Sequence, residues 1–186
     1  MINILVTFLE GENLNMSAIE LINTPLFLKQ TLKGYWRGEN NGLDSSPNAN
    51  NLTLHNGVSF VDGIFGKAFS FDPSQSQYAD VSLPDYVGDQ TWMAWYNRTS
   101  GTDGAIISRT NSDASVIRRI YVNSDKTINA IWAQLQGTLI SSAQIDGQTY
   151  FVALTWDSSN KIFTMYIGPQ GGALNKIQIT NVQGQV

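Results

Sequence analysis

Beyond residue 33, short apolar runs alternate with clusters of turn-forming residues along almost the whole chain. The runs are rich in β-branched and aromatic residues, and Asn-Gly, Asp-Gly and Asp-Ser-Ser-Asn separate them. No segment there has the 3.6-residue period of an amphipathic helix. Many short strands at even spacing are typical of an all-β sandwich or barrel.

Turn chemistry predicts three hairpins. In the first, residues 52–55 and 58–61 flank Asn56-Gly57, whose tolerance of positive φ suits a type I′ turn. The other two join 116–123 to 126–135 and 149–156 to 161–168. Residues 90–98 have apolar side chains on both faces, which indicates a central strand covered on both sides.

The first part of the chain differs from this pattern. Residues 1–31 are predicted to be an irregular lead-in to a domain that spans residues 32–186. The opening MINILVTFL is apolar, but it has neither a basic n-region nor a small-residue cleavage site, so a secretory signal is not favoured. Met16 is a second plausible start, because Glu10-Gly11-Glu12 can be encoded by purine-rich codons that form a ribosome-binding sequence; the gene's nucleotides decide this.

Composition narrows the range of partners. The net charge is −4, and the eleven Lys and Arg residues form no long run. Nucleic acid is therefore not a predicted partner, since its binding depends on neutralising phosphates. No apolar run approaches the ~20 residues of a membrane-spanning helix, so membrane insertion is not predicted either. The sequence has no Cys and hence no disulfide or thiolate chemistry.

A series of motifs follows in a specific order within residues 32–168, namely GYWRGENNGLDSS, GIFGKAFSFD, QYADV, TWMAWYNR, GAIISR, FVALTWDSS and KIFTMYIG. Their order and spacing resemble the laminin-G-like domains of the concanavalin A-like lectin and glucanase superfamily, in the bacterial and phage form. The resemblance implies a jelly-roll sandwich of two antiparallel sheets, packed ~10 Å apart. It also implies that Trp92, Ala94 and Tyr96 face the core, while Met93 and Trp95 lie on the other, concave face.

The sequence departs from the pattern of this family, most of all at its end. Pro73 and Phe151 stand where the family has Gly and His, and nothing after Lys176 resembles the usual closing strand of the type G-x-I-D-E-V-R-I. We therefore expect the domain to be C-terminally incomplete. Because the closing strand normally lies beside the first one, its loss would expose the backbone ladder of residues 34–37.

Candidate catalytic residues are few, and the sequence predicts a domain that is not an enzyme. Glycosidases of the superfamily hold two carboxylates about 5–5.5 Å apart for retaining hydrolysis. All four Glu precede position 40, and no predicted strand carries a carboxylate pair at suitable spacing. The single histidine, His55, is predicted to be an exposed strand-end residue, with no nucleophilic serine placed near it. One histidine and no cysteine also argue against zinc.

Calcium is an open alternative. Laminin-G-like domains often hold one ion in a rim loop through Asp side chains and backbone carbonyls, a donor set that suits a hard cation. The candidate ligands are Asp44, Asp80 and Asp103. The alternative for each is a solvated turn residue or an Asx turn.

A carbohydrate site would combine aromatic faces, which stack on pyranose rings, with polar groups that bind hydroxyls. We place it at Trp95, Trp132, Asn97 and Arg98; burial in the core is the alternative for each tryptophan. The prediction is a lectin-like recognition or adhesion module that binds carbohydrate or a surface protein, displayed outside a cell or on a virion. The first alternative is a structural spacer or decoration domain of a surface or virion protein. A less favoured alternative is a module appended to a glycoside hydrolase.

Overall fold

The computed structural model describes residues 2–7, 32–84, 88–99, 103–110, 117–132 and 138–182, the first range by its backbone alone. Within these ranges the chain forms β-strands and one short 3₁₀ helix, Pro73–Gln75. The strands are β1 (Ile2–Thr7), β2 (Leu32–Trp36), β3 (Thr53–His55), β4 (Ser59–Asp62), β5 (Lys67–Ser70), β6 (Tyr78–Asp80), β7 (Gln90–Asn97), β8 (Gly104–Thr110), β9 (Ile117–Val122), β10 (Ile128–Trp132), β11 (Leu139–Ile140), β12 (Thr149–Asp157), β13 (Ile162–Pro169) and β14 (Asn175–Ile179). In the described part of the chain, no helix has the length and hydropathy needed to span a membrane.

The strands assemble into two larger antiparallel sheets and one two-stranded ribbon. The large sheet has the order β14-β13-β12-β7-β1-β5-β4, and β2 also pairs with β1. The small sheet has the order β11-β10-β9-β8, and β3 pairs with β6 to form the ribbon. The prediction of an all-β domain with two antiparallel sheets is therefore confirmed.

One hydrophobic core is shared by the two larger sheets. Trp92 and Phe163 of the large sheet meet Trp132 of the small sheet, at ring-centroid distances of 5.4 and 5.8 Å. Leu52, Leu54 and Phe60 pack against the same core from the β3 and β4 region. The arrangement is sandwich-like, because each sheet buries one apolar face against the other.

Two of the three predicted hairpins are confirmed, and one is wrong. β9 pairs with β10, and β12 pairs with β13. Between β3 and β4, Asn56 and Gly57 have φ angles of 59° and 75°, as turn residues of this type should. The flanking strands nevertheless do not pair with each other: β3 pairs with β6, and β4 pairs with β5. The turn directs the chain from one sheet into another.

β7 is a central strand, as its two apolar faces predict. It lies between β1 and β12. Trp92, Ala94 and Tyr96 belong to the main core, whereas Met93 is buried on the opposite face with Phe151. The assignment of alternate residues to opposite faces is thus confirmed.

The start of the chain differs from the predicted irregular lead-in, because Ile2–Thr7 forms β1. Its β-branched composition suits a strand. β1 pairs with β7 on one side and with β2 on the other, where Leu5 stands opposite Tyr35. The backbone ladder at the start of residues 34–37, expected to be exposed, is therefore covered by β1. The lead-in residues 8–31, including the alternative start Met16, lie outside the described residues.

Candidate functional site

The structure does not bring the four predicted ligand-binding residues together. Trp132 is fully buried, with 0% of its surface exposed, and packs against Trp92 in the core. Trp95 follows on the same strand as Trp92 but faces the opposite side of the sheet. Trp132 is therefore a core residue and not part of a ligand surface, because Trp92, Trp156 and Phe163 of the large sheet pack against its ring.

Trp95 is half-buried in a second apolar cluster on the outer face of the large sheet. Its ring lies 5.2 Å from that of Phe151 and meets Phe65 edge-on at 6.4 Å. Met93 beside it is only 3% exposed. The ring therefore serves packing on this face.

Asn97 and Arg98 fasten loops at the end of β7. The Asn97 amide donates to the carbonyl of Gly147 and to the Thr149 hydroxyl, at 2.8 and 3.1 Å. The Arg98 guanidinium donates to the carbonyl of Asn123 at 2.9 Å, in the turn between β9 and β10. Both side chains tie β7 to neighbouring loops, which accounts for them without a ligand.

Asp146 pairs with both Arg98, at the end of β7, and Lys126, in the β9–β10 turn; we call this set of contacts between the two sheets the brace. One of its oxygens lies 2.9 Å from Lys126 Nζ, and the other lies 3.5 Å from Arg98 Nε. The hydrogen bond from Lys126, with the nearby positive charges, holds the pKa of the Asp146 carboxyl below its usual range. The carboxylate therefore stays ionised and fixes the loop before β12 against the β9–β10 turn.

Asp44, the first calcium candidate, organises the loop that follows β2. Its Oδ1 accepts hydrogen bonds from the backbone N–H groups of Tyr35 and Ser46, both at 2.8 Å. Its Oδ2 accepts from the Ser46 hydroxyl at 2.6 Å and from the Asn50 N–H at 2.9 Å. Both oxygens face hydrogen-bond donors, so a cation at this carboxylate would have to displace the bonds that shape the loop.

The other two calcium candidates belong to other segments of the fold. Asp80 is on β6, where its Oδ1 lies 2.7 Å from His55 Nε2. Asp103 is an exposed residue just before β8. Across the described ranges, no three acidic or histidine side chains cluster in a way that could hold a metal ion.

The most distinctive exposed constellation lies on the β3–β6 ribbon and consists of His55, Tyr78 and Asp80; we call it the Tyr78 patch. His55 and Tyr78 are direct partners across the two strands. Their rings are stacked, with centroids 4.2 Å apart and planes 9° apart. Tyr78 is 50% exposed, and the Asp80 side chain is 63% exposed. An aromatic ring, an imidazole and a carboxylate thus share one accessible face.

Neighbouring amides hold the patch in place. The Asn56 side chain donates to the carbonyl of Ser76 at 2.7 Å, and Gln77 Nε2 donates to the carbonyl of Gly57 at 2.9 Å. Gln77 Oε1 accepts from the Asp72 N–H at 2.8 Å. These bonds join the Asn56-Gly57 turn to the segment before β6, so both strands of the ribbon are anchored beside the patch.

Sequence reasoning missed the Tyr78 patch because it assigned the wrong partner to β3. In the predicted hairpin, His55 would face a residue of β4 and lie away from Tyr78. The alternation in QYADV does place Tyr78 and Asp80 on one face, which was the available signal. Adding His55 to it requires the non-local pairing of β3 with β6.

Comparison with known proteins adds no assignment to this geometry. No protein-family model matches the chain, and no match was found among curated proteins or among solved structures.

Proposed function

We propose that the chain is a non-catalytic, lectin-like recognition module and that the Tyr78 patch contacts its carbohydrate ligand. The observation that carries this proposal is the half-exposed ring of Tyr78, stacked on His55 beside the exposed Asp80 carboxylate. A pyranose offers an apolar C–H face and a rim of hydroxyls. The tyrosine ring suits the first, while carboxylate and imidazole groups hydrogen-bond the second.

The finer architecture is part of the same proposal. We infer a laminin-G-like jelly roll of the concanavalin A type from the ordered series of motifs between residues 32 and 168. Two antiparallel sheets that share one core support this inference. The fold alone does not decide the ligand, since function resides in sites that differ among proteins of one fold.

The charge of the protein favours a neutral ligand. The chain carries a net charge of −4, and the patch presents an exposed carboxylate. A sulfated or sialylated glycan would be repelled by both. We therefore expect neutral hexose-containing glycans among the ligands.

The test is a glycan array probed with the full chain and three variants. Tyr78→Ala removes the ring, and Tyr78→Phe keeps the ring but not the hydroxyl. Ile145→Ala is the matched control, because Ile145 is 68% exposed and belongs to a loop outside the ribbon. We expect reproducible neutral hits that survive Tyr78→Phe and Ile145→Ala and disappear with Tyr78→Ala, provided that all variants remain folded by circular dichroism.

Two results would contradict the proposal. Glycan hits that Tyr78→Ala leaves unchanged would place the binding site elsewhere. A silent array would favour the alternative function, a structural spacer or decoration domain that binds no soluble glycan.

A further inference from the structure

β1 occupies an interior position in the large sheet. All six of its residues pair with β7, from Ile2 opposite Tyr96 to Thr7 opposite Thr91. On its other side it pairs with β2, and Ile2 also stands opposite Phe69 of β5. β1 therefore forms backbone ladders along both of its edges.

This strand joins three groups of strands that are not otherwise paired with one another within the large sheet of the described residues. One group is β2 alone, the second is β4 with β5, and the third is β7 with β12, β13 and β14. Without β1, a slot one strand wide, ~10 Å across, would separate β7 from β2. Backbone N–H and C=O groups would line both sides of the slot, and buried groups of this kind need partners.

We propose that this slot is a strand-acceptor site and that β1 of a second copy of the chain can occupy it. Backbone ladders on both sides would give affinity, as in donor-strand complementation. Register would give selectivity: Ile4 stands opposite Ala94 and Trp36, both buried in the core, and a shift by one residue would reverse every side chain. The β1 of another copy satisfies these requirements because its sequence is identical.

Exchange of β1 conserves every strand pairing of the closed molecule. A single connection, residues 8–31, joins β1 to β2. The closed monomer and the exchanged dimer therefore contain the same strand pairings, and mass action favours the dimer as the chain concentration rises. The inference does not rest on the proposed function, but an exchanged dimer would carry two Tyr78 patches.

The absence of cysteine from the sequence permits a direct test in the full chain. Thr7→Cys and Thr91→Cys place thiols at directly opposite positions of β1 and β7, at a Cα separation that a disulfide can bridge. The two single variants are mixed, unfolded together in urea, returned to native conditions at several concentrations and treated with a mild oxidant. The control mixture combines Thr7→Cys with Thr155→Cys, which lies on β12, one strand beyond Thr91.

We expect a disulfide-linked heterodimer in the first mixture, rising with protein concentration and well above the control mixture. The double variant with Thr7→Cys and Thr91→Cys must form its disulfide within one chain at low concentration. If the double variant forms its disulfide but the mixture of single variants gives no heterodimer, the proposal that β1 exchanges between two copies is wrong. Failure of the double variant to close would overturn the position of β1 on which the inference depends.

Discussion

The His55 imidazole lies flat against the Tyr78 ring, with centroids 4.2 Å apart and planes 9° apart, although the two residues belong to different strands. On the edge of His55, Nε2 lies 2.7 Å from the Asp80 carboxylate. The ring of Tyr78 is thereby held in one orientation while half of its surface stays exposed. Such pre-organisation lowers the entropic cost of binding, because the Tyr78 side chain is already ordered before a ligand arrives.

The His55–Tyr78 pair should be energetically coupled. We expect a double-mutant cycle of His55→Ala and Tyr78→Ala to give a coupling free energy of about 0.5–1 kcal/mol, as for other cross-strand pairs. Urea denaturation of the four proteins measures it. Strict additivity of the two substitutions would mean that the stacked geometry does not persist in solution.

Gly38 should not tolerate a side chain. Its φ is +75°, and a Cβ there would approach the Phe69 nitrogen to 2.8 Å and meet the backbone of Ala68. Gly171 is the matched control, because its φ is also +75° but nothing lies within 4 Å of its Cβ position. Gly171→Ala should cost about 1–2 kcal/mol of unfolding free energy from the left-handed backbone alone.

Gly38→Ala should lower the free energy of unfolding by about 1–3 kcal/mol more than the control substitution does, because the loop that follows β2 must move away from β5. Urea denaturation of both variants gives the difference. Equal losses at the two positions would show that the close approach of residue 38 to β5 does not constrain the fold.

Asp44→Asn should destabilise the domain by about 1.5–3 kcal/mol, because it removes a charged acceptor from backbone N–H groups. Hydrogen exchange at the Tyr35 and Asn50 amides should accelerate in the variant, since both donate to Asp44. Asp103→Asn, at an exposed position, is the control. If calcium stabilised the native chain and Asp44→Asn abolished that effect, the carboxylate would be a metal ligand and not solely a loop organiser.

The brace at Asp146 should make stability depend on pH in the acid range. The pKa of Asp146 is lowered in the folded state by its hydrogen bond from Lys126, so the unfolded chain binds the proton more readily. Its stabilising contribution is present above the unfolded pKa and is lost as pH falls through the folded one. The unfolding free energies of the native chain and Asp146→Asn should therefore differ by a constant amount from neutral pH down to about pH 4 and converge as the pH falls further. A difference that stays constant below about pH 4 would contradict the brace.

Local pattern was sufficient for the strands whose partners adjoin them in sequence. The β9–β10 and β12–β13 hairpins followed from turn residues between apolar runs, and the central position of β7 followed from the apolar residues on both of its faces. The alternate spacing of Ile128, Ala130 and Trp132 also indicates that Trp132 belongs to the core. The structure agrees, because all three residues are completely buried.

The errors share one physical cause, which is strand pairing between remote segments. Asn56-Gly57 has the dihedral angles of a hairpin turn, yet burial of Leu54 and Phe60 against the shared core sends β3 and β4 to different partners. In the same way, β1 gains its place from β7, which lies far away in the sequence. Propensity predicts that a strand exists, whereas burial decides which strand it joins.

The most direct test of the proposed function uses the single histidine of the chain as a reporter. Its imidazole signals in ¹H–¹³C NMR spectra arise from one residue inside the Tyr78 patch. We predict that titration with a neutral glycan hit from the array shifts the His55 signals in a saturable manner, and that Tyr78→Ala abolishes the shift while Ile145→Ala preserves it. Glycan binding detected by calorimetry with unmoved His55 signals would contradict the account.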